Sequence, residues 1–428
     1  MVELSNVIIQ DVKNGLRQAV EDLFQKIGKN QPLMKEREQV YIKPNGVDFK
    51  PYSYTHPKLL RAVINFFYEN GAEQVYLMEN STQGNMTRLV FECTGYKEVL
   101  DDTGAKAVYL DEKSHTTVVL PTVGEEVKIP ELIARNFTSG ERDSLYISVP
   151  KLKTHPMTTV TLGIKNQMAF LSHTDRSRNH DEGLHQVLAD LYSLFKPDYT
   201  IIDGTHAVFH GHYPLQQFLD ECIEQLDILI GGTNTLHVDA VGAKVLGYEI
   251  KEVKHLALAA KAQDISSVLD GLKGEVSRFT KRYPSRTLDV FPDDVRVLKG
   301  TKKLCPEGCE LNTRMLVQLL YYDYGGKGGF DIVMGEGHDI ETLDTIHGPV
   351  LIVGDCAIKE TKDYLASKVG KSNVLLSPSC NSLARTMSAL CKLMSISPLD
   401  LVPSKWIALK ALILGKIHGS KAETPSII

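Results

Sequence analysis

Helical patterns alternate with short strand patterns over the first 250 residues of this chain. Residues 57–70 repeat apolar side chains at helical spacing and end before Gly71, and the strand pattern AEQVYLME follows directly. The same order recurs in VFECTGYKEVLDDTG before AKAVYLD, and in LHQVLADLYSLFKP before DYTIIDGT. Such alternation predicts the α/β class, with a mainly parallel sheet that helices cover on both faces.

A second, smaller α/β pattern follows a charged segment that has little periodicity. The chain then ends in SKWIALKALILGKIHGSKAETPSII, which combines the only tryptophan with aliphatic residues and lysines. The tail helix is expected to dock on the body, and a membrane-surface or partner helix is the alternative. The predicted units are residues 1–260, an α/β domain; 261–300, a connector; 301–400, a smaller α/β domain with cysteines; and 401–428, a C-terminal helix and tail.

The overall charge excludes some classes of partner. The 428 residues include 48 basic and 53 acidic side chains, which gives a net charge of -5. A duplex-binding protein normally has a basic excess, so no nucleic-acid partner is expected. No apolar run approaches the roughly 18 residues of a membrane span. The first residues lack a basic region before an apolar core, so a cytoplasmic location is expected.

Four of the seven cysteines lie in predicted loops of the smaller α/β domain. Cys305 and Cys309 stand in CPEGC before a helix pattern, and Cys356 and Cys380 each follow a strand pattern. Loops beyond the carboxyl ends of parallel strands share one crevice, so the four thiols are expected to meet. Four thiolates near helix starts favour a [4Fe–4S] cluster as the cofactor over zinc or nickel. A redox-active thiol pair and unligated core cysteines remain open alternatives.

Cations and amides recur where predicted strands of the first domain end. Residues 150–166, PKLKTHPMTTVTLGIKN, are interpreted as a loop, a β-branched segment and a second loop that lead to one crevice. Several cations in one crevice would hold a carboxylate or a phosphate. The predicted substrate-binding residues are Lys43, Asn45, Lys153, Asn166, Arg176 and Asp203. The predicted catalytic residues, which would transfer protons, are His155, His180 and Lys165.

Taken together, these motifs resemble the domain-of-unknown-function family DUF362 over about residues 38–260. The motifs are KPN at 43–45, THP at 55–57, PKLKTH at 150–155, GIKN at 163–166, NHDEGL around His180, IIDG at 201–204 and VDAVGAKVLG at 238–247. The resemblance implies a cationic crevice, frequent association with iron–sulfur modules and no settled reaction. Relatives commonly have GxGP after the DG pair, so the pocket is expected to differ at His212 and Tyr213.

The leading functional hypothesis combines the two sets of residues. The chain is predicted to be an iron–sulfur enzyme, an oxidoreductase or a lyase or isomerase, that acts on a small anionic substrate. A ferredoxin-like protein is a candidate redox partner. One alternative is an electron-transfer or cluster-carrier protein that docks an acidic partner. The other is a nickel-dependent racemase-like enzyme, since the α/β layout is similar to that of nickel-dependent lactate racemases.

Overall fold

The computed structural model of the chain describes residues 7–28, 34, 38–138, 142–178, 183–261, 265–380 and 382–424. The predicted catalytic residue His180 lies outside these ranges. The fold is mixed α/β, with one large and mostly parallel sheet and a separate parallel sheet nearer the C-terminus. The predicted fold class is therefore confirmed.

The described residues form fifteen strands. In chain order they are β1 (Ile8–Asp11), β2 (Gln39–Pro44), β3 (Gln74–Glu79), β4 (Lys106–Tyr109), β5 (His115–Val119), β6 (Glu126–Pro130), β7 (Ser144–Val149), β8 (Lys151–His155), β9 (Thr159–Thr161), β10 (Tyr199–Val208), β11 (Ile223–Gly232), β12 (Val295–Lys299), β13 (Phe330–Met334), β14 (Val350–Val353) and β15 (Val374–Ser377).

Seventeen α-helices are present in the same residues. They are α1 (Leu16–Ile27), α2 (Pro57–Glu69), α3 (Thr87–Cys93), α4 (Tyr96–Thr103), α5 (Glu131–Phe137), α6 (Gly163–Asn166), α7 (His173–Arg178), α8 (Leu184–Leu194), α9 (Thr235–Val245), α10 (Lys254–Ala259), α11 (Ser266–Gly271), α12 (Lys273–Val276), α13 (Leu311–Gln318), α14 (Ile340–Asp344), α15 (Asp355–Val369), α16 (Leu383–Leu393) and α17 (Lys405–Ile417). No helix within the described ranges has the length and apolar character needed to cross a membrane.

The large sheet has the strand order β1–β11–β10–β7–β2–β3–β4. The strands from β10 to β4 are parallel, whereas β11 runs antiparallel to both of its neighbours. After Pro150 the chain continues as β8, which pairs with the second half of β10, and β9 folds back on β8. The segment 151–155, predicted to be a loop, is thus a strand, because the long strand β10 offers it hydrogen-bonding partners.

The smaller sheet is entirely parallel, in the order β12–β13–β14–β15. Its edge strand β12 falls within residues 261–300, which were predicted to be a connector. The two remaining strands, β5 and β6, form an antiparallel hairpin.

The central strands of the large sheet are buried almost continuously, as expected when helices cover both faces. In β2, Val40 and Ile42 pack into the cluster that contains α1 and α2, and Tyr41 packs into the cluster on the other face. The predicted helix over 57–70 is confirmed as α2. The pattern VFECTGYKEVLDDTG, predicted as one helix, is two, because Gly95 adopts a left-handed conformation (φ 81°) between α3 and α4.

The two α/β regions are joined by a buried ion pair and an apolar cluster. Lys50 Nζ lies 2.9 Å from Asp323 Oδ2, and only 10% and 2% of the two side chains are exposed. Asp323 Oδ1 also accepts the backbone N–H of Gln216 at 2.9 Å. Beside them, Leu215 of the first region packs with Leu319 of the second. This contact fixes how the second region sits over the carboxyl ends of the large sheet's strands.

Removing the carboxylate of this ion pair is expected to destabilise the protein. Asp323→Ala leaves Lys50 buried without its partner, and breaking such a pair costs about 3–5 kcal/mol. The variant should therefore unfold at a lower urea concentration than the parent protein, as followed by circular dichroism. The matched control is Glu69→Ala, which breaks an exposed pair with Arg17 and should change stability by less than about 1 kcal/mol. Equal unfolding midpoints for the two variants would contradict the role given to the Lys50–Asp323 pair.

Candidate functional site

A small, partly open cavity of about 70 Å³ lies where the second region covers the carboxyl ends of the parallel strands. It is lined by seven of the predicted site residues, which come from β2, β8, α6 and α7 and from the turn after β2. They are Lys43, Asn45, Lys153, His155, Lys165, Asn166 and Arg176. The structure thus brings these side chains together, and their roles stay predictions.

Lys43 is the centre of a buried network at the floor of the cavity. Its Nζ lies 2.9 Å from Glu79 Oε1, and both side chains are 1% exposed. The same ammonium donates to the carbonyl of Pro44 at 3.0 Å and to Asn166 Oδ1 at 3.1 Å. Burial lowers the pKa of Lys43, and the neighbouring Glu79 opposes that change. Because its donors are already used, Lys43 orients Asn166 and is not available as a free cation.

Lys153 and Lys165 are the cations that carry uncompensated charge. Lys153 is buried on β8 and donates to the carbonyl of Ser53 at 2.8 Å. The side chain of Lys165 has no hydrogen bond or ion pair with any described residue. Burial lowers the pKa of Lys153 well below its ordinary value, and the charge of Lys165 lowers it further. Burial, with Arg176 and Lys43 nearby, lowers the pKa of Lys165 to about 7. An anion bound between them would relieve this repulsion.

The position of Lys165 is set by Asp239, a residue on α9. The Asp239 carboxylate accepts the backbone N–H groups of Gly163 and Ile164, at 2.7 and 2.8 Å, and so caps the start of α6. A Cβ on Gly163 would lie 2.5 Å from Thr235 Cγ2, so glycine is needed for this close approach. Burial raises the pKa of Asp239 to about 7. The short helix α6 therefore presents Lys165 from a fixed turn.

Arg176 reaches the cavity from α7. Its guanidinium donates to the backbone carbonyls of Ser81, Asn80 and Ala169, at 2.9 to 3.2 Å. Burial lowers its pKa to about 10, which leaves it charged at neutral pH. These hydrogen bonds fix the charged guanidinium of Arg176 beside the turn that follows β3.

His155 and His212 stack face to face at the cavity wall, with ring centroids 4.4 Å apart and planes 6° from parallel. The Nδ1 atom of His155 accepts the backbone N–H groups of Met157 and Thr158, at 3.2 and 3.3 Å. A backbone N–H can only donate, so Nδ1 carries the lone pair and the neutral ring has its proton on Nε2. His155 therefore offers its Nε2–H as a hydrogen-bond donor to a ligand.

Two oxygen atoms in the cavity wall have no hydrogen-bond partner among the described residues. They are Asn45 Oδ1 and Thr161 Oγ1, both fully buried. The orientation of the Asn45 amide is set by its Nδ2, which donates to Asn166 Oδ1 at 3.1 Å. A buried acceptor without a partner is costly, so these atoms suit a ligand with a hydroxyl or amine group.

Asp203, predicted to bind substrate, does not line the cavity. It is fully buried and pairs with Lys151 at 3.2 Å, and it accepts the backbone N–H of His56 at 2.8 Å. Its observed contacts are therefore structural. His212 and Tyr213, where the family resemblance implied an altered pocket, both line the cavity.

Several lining residues were not predicted. They include Asn80 and Gln83 from the turns after β3, and Asn312 and Leu383 from the second region. Glu79, which neutralises Lys43, was missed as well. For Glu79 the sequence did hold a signal, because it ends a strand pattern in the same way as Lys43. For Asn312 and Leu383 no such signal exists, since only the packing of the two regions brings them to the cavity.

The four predicted ligand cysteines differ in exposure. Cys309 is buried, Cys305 and Cys356 are half-buried, and Cys380 is exposed. In the part of the chain that the structure describes, no three His, Cys, Asp or Glu side chains are arranged to hold a metal ion. Because the side chains do not form such a group, the relation between the cysteines is described by the contacts of the segments that carry them.

Those contacts bring the cysteine segments to the carboxyl edge of the smaller sheet. A Cβ on Gly354 would lie 2.9 Å from Cys309 Sγ, so this sulfur packs on the turn where α15 begins. Cys356 is the second residue of α15. Asp355 Oδ1 accepts the backbone N–H of the residue before Cys380 at 2.8 Å. The segments of Cys309, Cys356 and Cys380 therefore meet at the start of α15.

Two of these segments also lead directly to the cavity. Asn312 lies three residues after Cys309, and Leu383 lies three residues after Cys380. The backbone N–H of Leu383 donates to Gln83 Oε1, on the opposite wall, at 3.1 Å. The segments that follow Cys309 and Cys380 therefore form part of the cavity wall, although none of the four cysteines lines it.

Comparisons with known proteins give one family match. Among solved structures, the crystal structure of a Thermotoga maritima protein, a target of the Northeast Structural Genomics Consortium, is similar at 12% identity over 90% of each chain, with a TM-score of 0.33. No curated protein matches the chain. Residues 40–244 match the family model described as "Domain of unknown function (DUF362)". The predicted resemblance to DUF362 is therefore confirmed over residues 40–244, the segment that supplies Lys43, Lys153, Lys165 and Arg176 to the cavity.

Proposed function

We propose that this chain is an iron–sulfur enzyme that binds a small carboxylate or phosphate in the cavity between its two α/β regions. The observation that carries the proposal is the shared wall: the segments that bear Cys309 and Cys380 also supply Asn312 and Leu383 to a cavity whose other wall is cationic. A substrate held by Lys153 and Lys165 would then lie beside the cysteine edge of the smaller sheet.

The burial of Lys153 favours a small anion over a protein partner. Lys153 is 1% exposed, so an acidic protein surface could not reach its ammonium without opening the fold. A free carboxylate or phosphate can enter the cavity and satisfy both lysines. The alternative of a carrier that docks an acidic partner on these residues is therefore less well supported.

The cavity residues can position such a substrate and transfer protons to it. Lys153 and Lys165 would bind the anionic group, and Asn45 Oδ1 would accept a hydrogen bond from a neighbouring hydroxyl or amine. His155 Nε2–H would donate a hydrogen bond to the substrate, since its Nδ1 is occupied by backbone donors. With a pKa of about 7, Lys165 can also exchange a proton near neutral pH. The second region closes over these groups and limits the access of water.

The cysteines suit an iron–sulfur cluster by their chemistry and by one feature of the fold. Four thiols are a fitting donor set, and Gly354 leaves room for Cys309 Sγ against the first turn of α15. Backbone N–H groups at that turn can hydrogen-bond to cluster sulfur. When bound, a [4Fe–4S] cluster supplies single electrons or a Lewis-acid iron. The ligands would be Cys305, Cys309, Cys356 and Cys380, and a ferredoxin-like protein would be a fitting redox partner.

Metal and sulfide analysis tests the cluster directly. Protein that is purified without oxygen, or reconstituted with iron and sulfide, should be brown and contain about four iron and four sulfide ions per chain. Cys356→Ala should lose most of both, because it removes a ligand from the first turn of α15. The readouts are iron and sulfide content and the visible absorption spectrum.

The matched control is Cys391→Ala on α16. Cys391 is buried in the core of the same sheet, where burial raises its thiol pKa to about 11, and the variant should keep its cluster. A colourless parent protein without iron or sulfide after reconstitution contradicts the cluster. Nickel in the purified protein, retained when the four cysteines are removed, would favour the racemase-like alternative.

Anion binding should depend on pH through Lys165. Its ammonium form attracts the anion and its pKa is about 7, so affinity should be highest below pH 7. Affinity should then fall by up to about tenfold per pH unit above it. Isothermal titration calorimetry with succinate measures this, because the charge of succinate is nearly constant above about pH 6.5. Lys165→Arg, which stays charged, should make the affinity fall less steeply above pH 7 than in the parent protein.

Substitution of the second cation gives an independent check. Lys153→Met should weaken succinate binding at pH 6.5 by about tenfold or more, the usual value of a hydrogen bond to a charged group. Lys13→Met, at a side chain that is 82% exposed, serves as the control and should bind as the parent does. Unchanged affinity in both Lys153→Met and Lys165→Met would place the anion elsewhere.

A further inference from the structure

Helix α17 presents an apolar stripe to solvent. Among the described residues, six large hydrophobic side chains are exposed, and four of them lie on this helix. They are Trp406, 81% exposed, together with Leu409, Ile413 and Ile417. Their spacing of three and four residues places them along one face. An exposed apolar face of this kind marks an interaction surface.

Lysines flank the stripe on both sides. With about 3.6 residues per turn, Lys405 and Lys416 project beyond one edge of the stripe and Lys410 beyond the other. Lys405 and Lys410 are 66% and 64% exposed, and each reaches one carboxylate, at 3.4 and 3.5 Å, in surface pairs that contribute little. Lys416 is exposed and forms no ion pair with a described residue. The outward face therefore combines an apolar centre with a cationic border.

The opposite face holds the helix on the protein. Ala408, Ala411 and Gly415 are its buried residues, and the two alanines pack beside Leu89 of α3. These small side chains let α17 lie close to the body.

Both ends of the helix are anchored. At the start, the Ser404 hydroxyl accepts the backbone N–H of Ile407 at 3.4 Å. After the helix, Lys421 N–H donates to the carbonyl of Asp111 at 2.9 Å, and the carbonyl of Glu423 accepts from Gly84 at 2.7 Å. The stripe is thus held outward in the folded protein, and binding through it would require little further ordering.

We propose that α17 docks the protein on the surface of an anionic lipid membrane, without crossing it. Lysines on both sides of an apolar stripe match a surface of anionic headgroups above acyl chains, where the ammonium groups stay in the headgroup layer. Trp406 would lie at the interface, which tryptophan prefers. A second copy of this chain fits less well, because two such faces would bring their lysines together.

The experiment uses vesicles and the fluorescence of Trp406, the only tryptophan in the chain. Vesicles of equal parts phosphatidylglycerol and phosphatidylcholine should bind the full chain in co-sedimentation and shift its tryptophan emission to the blue. Vesicles of phosphatidylcholine alone should bind at least tenfold more weakly.

Variants separate the two parts of the surface. Lys416→Gln should weaken binding to the anionic vesicles about fivefold, the usual contribution of one lysine at such a surface. Ile413→Ser should weaken it about tenfold or more, because the isoleucine no longer enters the acyl boundary. The matched controls are Lys13→Gln, at the far edge of the large sheet, and Ile340→Ser, at an isoleucine that is 63% exposed. Both controls should bind as the parent does.

Three results would overturn the proposal. The first is that neither vesicle changes the emission or the sedimentation. The second is equal binding to both vesicles, which would leave the lysines without a role. The third is a blue shift that appears without lipid and grows with protein concentration, since that would make a second copy the occupant of the stripe.

Discussion

The buried ion pair between Lys43 and Glu79 is the constraint on which the candidate site depends. Neither charge could be buried alone, because removing an ion from water carries a large penalty that only a close partner offsets. The pair forms where β2 and β3 end side by side in parallel. It also fixes Asn166, and Asn166 in turn orients the Asn45 amide. A single pairing of neighbouring strands thus sets the floor of the cavity.

The lysines in and beside the cavity are of two kinds: some are paired with a carboxylate, and the others could bind an anion. Lys43 and Lys151 each have a buried carboxylate partner, Glu79 and Asp203 respectively. Lys153 and Lys165 do not, and their lowered pKa values reflect burial together with the repulsion of other cations. Because the fold leaves the buried Lys153 and the half-buried Lys165 without a carboxylate, it maintains a local preference for an anion in a chain whose net charge is negative.

The smaller sheet completes the cavity and brings the segments with the predicted ligand cysteines next to the predicted anion-binding residues. Its carboxyl edge, where the cysteine segments meet, is turned toward the larger sheet by the Lys50–Asp323 pair and the packing around Leu215 and Leu319. This arrangement places Asn312 and Leu383 in the wall opposite the lysines. The membrane surface proposed for α17 is a separate feature, since its stripe faces away from the body.

The sequence by itself determined the fold class and most of the cationic residues. The spacing of apolar side chains decides which segments are helices or strands, and parallel strands necessarily bring their carboxyl ends to one edge. The sequence could not show that Glu79 would neutralise Lys43 and that Lys151 would neutralise Asp203, because those pairings depend on strand order. Nor could it show that residues 151–155 form a strand, since their partner is β10, about 50 residues later. Only the tertiary structure decided which lysines stay uncompensated and that the cysteine segments contribute to the wall of their cavity, because both follow from contacts between residues far apart in the chain.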